Sequence, residues 1–314
     1  MLQKFDPRNR DIVVNISGKL VHRDQAGISP FDSVVQGGDA VWEGLRVYSG
    51  RIFRLVEHLD RLRHSALALG FAQIPTHDEI IEQIRRTLSA NHMTDGVHIR
   101  LTLTRGAKTT SGMDPRLNQS GPTLIVLAEF KPPVYDKSGI RLITSTYRRP
   151  APDVLDPKIH HNNLLNSILA KIEANAAGAD DALMLDCRGF VAETNATHVF
   201  AVSGGTASTP RVVACPDGIT RGVVLQLCGE LEIACRERDI APAELFASDE
   251  MFCSGTMGEL APIIAIDGRS IGNGQPGPVY QRLAAAFRER TQAEGPVVVD
   301  EPPTGEIDPR FASE

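Results

Sequence analysis

The chain has 314 residues, which is too long for one ordinary hydrophobic core and predicts two domains. Its 42% hydrophobic and 23% charged residues are typical of a soluble globular protein, and its formal net charge of −6 argues against a nucleic-acid-binding surface. The first residues lack an apolar core of signal-peptide length, and no apolar run is long enough to span a bilayer, so we expect neither a secretory signal nor a membrane span.

The first 130 residues predict alternating strands and helices. Ser17-Gly18 is typical of a hairpin turn, and Gly70 is typical of a residue that ends a helix. In chain order we predict a hairpin over 11–22, a strand–turn–strand unit over 38–55, helices over 56–69 and 78–90, and strands over 96–106 and 124–130. In the strand over 96–106, polar and apolar side chains alternate, so His98 and Arg100 share one face.

The stretch 157–200 combines a helix, a buried strand and a turn. Leu165, Leu169 and Ile172 recur at helical spacing and predict the buried face of a helix over 166–177, which Gly178 ends. A buried strand over 182–185, a turn over 186–189 and a further strand follow. The carboxylate of Glu193 comes at the end of this apolar segment and needs a partner or a chemical role.

Two later turns have the composition of anion sites. Residues 215–234 predict a turn that leads into an amphipathic helix, and the free N–H groups of Gly218, Ile219 and Thr220 at its start favour an anion. The alternative is an ordinary helix start that is capped by Thr220. A second turn at 254–263 places Thr256 and Met257 in a nest of backbone N–H groups.

The cysteines all lie in the second half of the chain and form no C-x-x-C pair. Because their number is odd, we predict reduced thiols in a cytoplasmic protein. They are Cys187, Cys215, Cys228, Cys235 and Cys253.

Several of these motifs, in this order, resemble the fold-type IV pyridoxal-phosphate enzymes. The matching segments are GDAVWEGLRVYSGRIFRL at 38–55, EHLDRL around Arg61, the unit at 157–200 and the two anion-type turns. The resemblance covers about residues 10–290 and is nearest to branched-chain amino acid aminotransferases. It implies an α/β (α+β) fold like that of D-amino-acid aminotransferase, and a homodimer whose pockets are completed by loops of the partner.

The resemblance implies four segments and a set of site residues. The segments are a small α/β domain over 1–130, a linker over 131–139, a large domain over 140–290 and a loosely ordered tail over 291–314. Pyridoxal 5'-phosphate would be held by Arg61, Ile219, Thr220 and Thr256 at its phosphate and by Glu193 at its ring nitrogen. The substrate, an amino acid or a 2-oxo acid, would meet Trp42, His98, Arg100 and Met257.

The family's catalytic lysine has no counterpart at the expected position, which His160 occupies. A histidine cannot form the Schiff base. Lys158 is two residues upstream, and in a strand it would share a face with His160, so that its long side chain could reach the cofactor aldehyde. The alternative is that Lys158 is an ordinary surface charge.

Three interpretations follow from this substitution. The chain is an aminotransferase that uses Lys158, or it binds the cofactor without a Schiff base and uses His160 or His161 as a general base, or it is a non-catalytic binding protein. A metal site at His160, His161 and His198 is a weaker alternative, because neighbouring residues of a strand face opposite ways. We therefore expect no metal.

Overall fold

The computed structural model describes residues 3–299. The part of the chain up to residue 130 forms six strands and three α-helices, with short 3-10 turns at Pro7–Asn9 and Pro115–Leu117. In chain order these elements are β1 (Val13–Ile16), β2 (Lys19–His22), α1 (Ser33–Gly37), β3 (Ala40–Tyr48), β4 (Arg51–Ile52), α2 (Leu55–Ala68), α3 (His77–Ala90), β5 (Val97–Thr104) and β6 (Thr123–Phe130).

These strands form one antiparallel sheet in the order β2-β1-β6-β5-β3-β4. The predicted turns hold it together, since Ser17 and Gly18 take positive φ between β1 and β2, and Ser49 and Gly50 do so between β3 and β4. Helices α2 and α3 cover one face and bury its apolar side chains in a continuous core.

The chain beyond residue 139 forms the second group of elements. In chain order these are β7 (Ile140–Arg148), α4 (Pro152–Leu155), α5 (Leu165–Ala176), β8 (Asp181–Leu185), β9 (Val191–Thr194), β10 (His198–Ser203), β11 (Thr206–Thr209), α6 (Ile219–Glu230), β12 (Cys235–Glu237), α7 (Pro242–Leu245), β13 (Glu250–Gly255), β14 (Glu259–Ile266), β15 (Arg269–Ser270) and α8 (Pro278–Ala293).

The second sheet is mixed and runs β12-β11-β10-β13-β14-β7-β8-β9, with β15 added beside β14. Strand β7 pairs in parallel with both β8 and β14, whereas β8 to β9 and β10 to β13 are antiparallel. Helices α6 and α8 pack on it through a core that contains Phe200, Phe252 and Leu283. The mixed α/β class is confirmed, and residues 131–139 connect the two sheets.

Helix α5 is present, but its predicted buried face is wrong. Leu165, Leu169 and Ile172 are 65%, 38% and 56% exposed, and the side chains that pack on the sheet are Ala170 and Ala174. Small alanines let the helix approach β7 and β8 closely, so the longer apolar side chains turn outward.

The predicted loosely ordered tail is also wrong for its first nine residues. Helix α8 continues to Ala293, Val297 bridges to Arg51 of the first sheet, and Val298 is buried in the core of that sheet. This segment therefore joins the end of the second group of elements to the first. The rest of the predicted tail, 300–314, lies outside the described residues. Within residues 3–299, no helix is both long and apolar enough to cross a membrane.

Candidate active site

A cavity of about 420 Å³ lies between the two sheets. Trp42 and Gly44 of β3 and Arg61 of α2 form its wall on one side, and Glu193 of β9 and Thr256 of the β13–β14 turn contribute from the other. Ligand sites for small molecules have cavities of this size. The polar groups that line the cavity form two sets with different chemistry.

The first set, in one part of the cavity wall, is suited to bind an anion. Helix α6 begins there at Ile219, and its N-cap Gly218 makes no side-chain hydrogen bond, so the cap predicted as the alternative at Thr220 is absent. Ile219, Thr220 and Thr256 line this part of the cavity. Arg61 lies beside them, where its Nη1 donates to the carbonyl of Asp217 at 2.8 Å. Uncapped N–H groups, a helix dipole and a guanidinium together favour a phosphate.

Two glycines let the backbone pack closely against side chains that line the cavity. A Cβ on Gly218 would lie 2.2 Å from Nε2 of His198, and one on Gly255 would lie 2.8 Å from Cγ2 of Thr197. Burial lowers the pKa of His198 to about 3, so this ring is neutral at physiological pH. A neutral ring beside the helix start does not compete with Arg61 for an anion.

The second set of polar groups in the cavity wall is a buried ion pair. Oε1 of Glu193 lies 2.7 Å from Nη2 of Arg149, which comes at the end of β7. Arg149 is held in turn by α5, because its Nη1 donates to the side-chain oxygens of Ser167 at 3.2 Å and Asn166 at 3.3 Å. Burial raises the pKa of Glu193 to about 7, against the opposing effect of Arg149. A carboxyl group with this raised pKa can hold a proton near neutral pH and can share it with a ring nitrogen in a hydrogen bond.

Glu43, fully buried on β3, connects several site residues. Arg61 donates to both of its oxygens, from Nε at 2.8 Å and from Nη2 at 2.7 Å, and Nδ1 of His58 lies 2.6 Å from Oε2. Nδ1 of His160 lies 3.3 Å from Oε1. Burial would raise the pKa of Glu43, but Arg61, His160 and His58 hold it well below its usual value. The carboxylate therefore stays charged and holds Arg61 in place beside the start of α6.

Trp42, the only tryptophan of the chain, forms a rigid wall. Its ring is stacked on His160 with the centroids 4.3 Å apart, and the guanidinium of Arg100 lies 3.4 Å from its centre. Its Nε1 donates to the carbonyl of His161 at 3.0 Å. With three contacts on one indole, the position of Trp42 is set before any ligand binds.

The sequence of the chain matches the model of a known protein family. The family model of class IV aminotransferases ("Amino-transferase class IV") matches residues 40–266. The chain belongs to this family. This aminotransferase-family chain also resembles individual relatives over most of its length.

The curated relatives include a branched-chain-amino-acid aminotransferase-like protein 2 of Arabidopsis thaliana, which is 54% identical over 92% of this chain. The chain spans about half the length of that relative, 52%. A putative branched-chain-amino-acid aminotransferase of Methanocaldococcus jannaschii is 40% identical, with 92% of this chain and 99% of the relative covered.

Solved structures of the same family superpose closely. The Escherichia coli branched-chain amino acid aminotransferase gives a TM-score of 0.83 at 28% identity, covering 89% of this chain and 94% of the other. A T.th. branched-chain amino acid aminotransferase complexed with N-(5'-phosphopyridoxyl)-L-glutamate gives 0.83 at 32% identity, covering 90% and 94%. The predicted family and the two-sheet fold-type IV architecture are thereby confirmed.

The family's missing lysine is not replaced by Lys158 in the way we predicted. The strand geometry behind that prediction is wrong, since residues 157–159 form a turn in which Pro157 restricts the backbone and Asp156 accepts a hydrogen bond from the N–H of Lys158. Lys158 is exposed and does not line the cavity, whereas His160 does. His161 lines the cavity as well, so these neighbouring histidines do not face opposite ways.

The predicted substrate residues have different placements. Trp42 and Met257 line the cavity, but His98 and Arg100 do not. Arg100 lies behind Trp42 and donates to Oδ1 of Asn162 at 2.6 Å. Burial lowers the pKa of His98 to about 3, and Nε2 of His98 has no partner in the described part of the chain. Both side chains therefore lie one layer behind the cavity wall.

Several contributors to the site were not predicted from the sequence. Arg149 and Glu43 are the most important, and Ser254 presents a buried hydroxyl that lacks a partner among residues 3–299. A signal for Glu43 was present, since a carboxylate inside the apolar run AVWEGLRV has the same need for a partner as Glu193. Nothing in the local pattern distinguished Arg149 from its neighbour Arg148.

Proposed function

We propose that the protein is a pyridoxal-phosphate-dependent aminotransferase of branched-chain type, which moves an amino group between an amino acid and a 2-oxo acid. The observation that carries this proposal is that the uncapped start of α6 and the Glu193–Arg149 pair line one and the same cavity. The family membership of the chain and the names of its relatives agree with it.

The residues present fit the cofactor. Its phosphate is matched by the uncapped start of α6, by Arg61 and by the hydroxyls of Thr220 and Thr256. Its ring nitrogen is matched by the carboxyl group of Glu193. A Cβ on Gly218 would lie 2.2 Å from Nε2 of His198, so the helix start requires glycine in order to pack against that ring.

The chain's own residues would supply binding, orientation and proton handling. When bound, pyridoxal phosphate supplies an electron-poor ring that stabilises negative charge at the substrate's α-carbon. Glu193 would hold a proton at the ring nitrogen, and Arg61 with the helix start would fix the phosphate. The Trp42 wall would orient the substrate side chain and keep water out of the cavity.

A second candidate is a cofactor-binding relative without a covalent lysine and with altered chemistry. The observation in its favour is that Lys158 lies outside the cavity and His160 within its wall. The one lysine among the cavity-lining residues is Lys171, and its Nζ is engaged by the carbonyl of Asp180 and by Oδ1 of Asp181 at 2.9 Å. The two candidates share the cofactor and differ in the group that moves the proton.

The amino donor would carry an apolar side chain. Trp42, Leu164 and Met257 give the cavity wall apolar surface, as a branched aliphatic side chain requires. Arg100 would attract the substrate carboxylate from behind Trp42, because its hydrogen-bond and ring partners are the neutral Asn162 and the indole ring, and Glu43 is the nearby carboxylate that acts on its charge.

We further propose a cytoplasmic homodimer. All five cysteines are free thiols, which suits a reducing compartment. The outward face of α5 exposes Leu165, Ile168, Leu169 and Ile172, a contiguous apolar surface of the kind that mediates association.

The experiment for the proposed activity is a half-reaction. Pyridoxal phosphate is added to the purified protein, and binding is followed by quenching of Trp42 fluorescence. L-leucine, L-glutamate and D-alanine are then added separately, and the formation of 2-oxo acid is measured. We expect saturable quenching and one equivalent of 2-oxo acid from L-leucine. Quenching without any 2-oxo acid would favour the second candidate, and no quenching would contradict both.

A further inference from the structure

The ring of His160 makes asymmetric contacts. Its Nδ1 lies 2.5 Å from the carbonyl oxygen of Trp42 and 3.3 Å from Oε1 of Glu43. The backbone N–H of His160 donates to Oγ of Ser65 at 3.0 Å, and the ring stacks on Trp42. Nε2 has no hydrogen-bond partner among residues 3–299, although the residue itself forms part of the cavity wall.

These contacts decide which ring nitrogen carries the proton. A carbonyl oxygen can only accept a hydrogen bond, so Nδ1 must be the donor to Trp42. A neutral imidazole has one N–H, and when that proton is on Nδ1 the lone pair is on Nε2. Glu43 reinforces this assignment, because its carboxylate also accepts and never donates while it is charged.

We propose that Glu43 and the Trp42 carbonyl hold His160 in the Nδ1–H tautomer, so that Nε2 is the proton acceptor of the cavity. The inference rests on the proposed function and names the group that takes the lysine's place in handling the proton. In the proposed reaction, Nε2 would accept the proton when the C–H bond at the substrate's α-carbon breaks, and the electron pair of that bond would pass into the bound cofactor. The imidazolium would then give up this proton in completing the amino transfer. Glu43 is a positioning residue, since it acts through His160.

The charges around His160 are compatible with an uncharged ring whose Nε2 lone pair is available. Burial lowers the pKa of His160, Arg61 lowers it further, and Glu43 partly restores it. The other titratable groups close enough to interact with the ring are His161 and His198, and burial lowers the pKa of both. His160 is therefore uncharged near pH 7 and can accept a proton there.

The same carboxylate also connects His160 to the anion-binding part of the cavity. Glu43 binds Arg61 in a two-point ion pair and His160 at a longer distance. Loss of the Glu43 charge would therefore disturb both Arg61, which is placed to bind the phosphate, and His160, the proton acceptor. A residue with a purely structural role would have no reason to alter the titration of the His160 ring.

The test is ¹⁵N NMR of the histidine-labelled, cofactor-free protein across a pH series. Because no cofactor is needed, the result does not depend on whether the aminotransferase proposal holds. His160→Asn removes the signal and so assigns it. We expect a protonated Nδ1 and an unprotonated Nε2 at pH 7. A proton on Nε2 would overturn the proposal. If the variant fails to fold, through-space contacts of the ring with Trp42, whose ring centroid is 4.3 Å away, assign the His160 signal in the wild-type spectrum.

The role of Glu43 is tested by Glu43→Gln, with Glu57→Gln as the matched control on exposed α2 surface. Removal of the Glu43 charge should lower the pKa of His160 further, because this carboxylate is the group that raises it. The control should leave it unchanged. An unchanged His160 titration in a folded Glu43→Gln protein would rule out Glu43 as the positioning residue.

The proton-acceptor role is tested by α-hydrogen exchange of L-leucine in D₂O with pyridoxal phosphate present. In His160→Asn, the side-chain amide can still donate to the Trp42 carbonyl, but the Nε2 lone pair is lost. We expect Trp42 quenching by the cofactor to persist while exchange slows by about 10²–10⁴-fold, the usual contribution of a positioned base. Exchange at the wild-type rate would overturn His160 as the acceptor.

Discussion

At the scale of single residues, the site is organised by two buried carboxyl groups whose surroundings act in opposite directions. Arg61 and two histidines keep Glu43 ionised, while burial raises the pKa of Glu193 to about 7. Glu43 can therefore serve as a permanent anchor, and Glu193 as a group that holds or releases a proton near physiological pH.

The raised pKa of Glu193 predicts a pH-dependent stability of the cofactor-free protein. Since the folded-state pKa of about 7 is above the ordinary value of 4.5, the stability contributed by this group is full below pH 4.5 and is lost as the pH rises through 7. The difference is on the order of 3 kcal/mol. Glu193→Gln should flatten this part of the profile of unfolding free energy against pH, and Glu57→Gln should not. A Glu193→Gln profile parallel to that of the wild type would contradict the assignment.

Some residues of the site could be predicted from the sequence, and the others could not, for a physical reason. Arg61, Glu193 and Thr220 were predictable because each belongs to a local pattern, and all three line the cavity. Lys158 was misplaced because its proposed reach depended on a strand, and Pro157 and Asp156 form a turn there instead. The partnership of Arg149 with Glu193 joins residues 44 positions apart, so no local pattern contained it.

At the scale of elements, the start of α6 depends on a glycine. Gly218→Ala would place a Cβ 2.2 Å from His198, whereas Gly222 on the same helix has open space around it. We expect Gly218→Ala to lower the free energy of unfolding by about 1–3 kcal/mol and to weaken pyridoxal phosphate binding. Gly222→Ala should raise that free energy by roughly 0.5–1 kcal/mol. Chemical denaturation and Trp42 quenching measure the two effects, and equal behaviour of both variants would contradict the close approach.

The β13–β14 turn is held by the linker between the two sheets. Nζ of Lys137 donates to the carbonyls of Gly258 at 2.7 Å and Leu260 at 2.9 Å, and the N–H of Val134 donates to Met257 at 3.2 Å. The turn ends at Glu259, which has a positive φ and accepts a hydrogen bond from Tyr48 of the first sheet. These contacts fix the turn that presents Thr256 to the cavity.

Removal of the Lys137 contacts should therefore weaken ligand binding at a distance. We expect Lys137→Met to raise the Kd of pyridoxal phosphate by about 10-fold, equivalent to about 1.4 kcal/mol. Lys19→Met, an exposed change on β2, serves as the control. Titration of Trp42 fluorescence gives both constants, and an unaltered Kd for Lys137→Met would show that the turn keeps its position without the linker.

Element by element, strands such as β5 and helices such as α3 followed from periodicity and turn residues, whereas the short α4, α7 and β12 and the burial of α5 did not. A helical repeat of leucine and isoleucine predicts an apolar face, but it does not say whether that face meets the chain's own sheet or another molecule. In α5 the alanines on the opposite side provide the close packing. Sequence periodicity alone could not separate these two cases.

At the scale of the whole molecule, the exposed face of α5 predicts association. If the homodimer forms through this surface, Ile168→Glu should shift the protein toward the monomer, because it places a charge among apolar side chains at the interface. Val56→Glu, equally exposed on α2, is the control. Analytical ultracentrifugation measures the distribution, and a dimer that persists unchanged in Ile168→Glu would place the interface elsewhere.

We propose that the cavity binds pyridoxal phosphate with His160 in the position of the missing lysine. The most direct measurement is borohydride treatment of the cofactor-loaded protein, followed by peptide mass mapping of every lysine. We expect saturable cofactor binding, no cofactor mass on the peptide that contains Lys158, and release of the cofactor on unfolding. A stoichiometric adduct on Lys158 would contradict the placement of that side chain outside the cavity, and failure to bind the cofactor would contradict the proposed function itself.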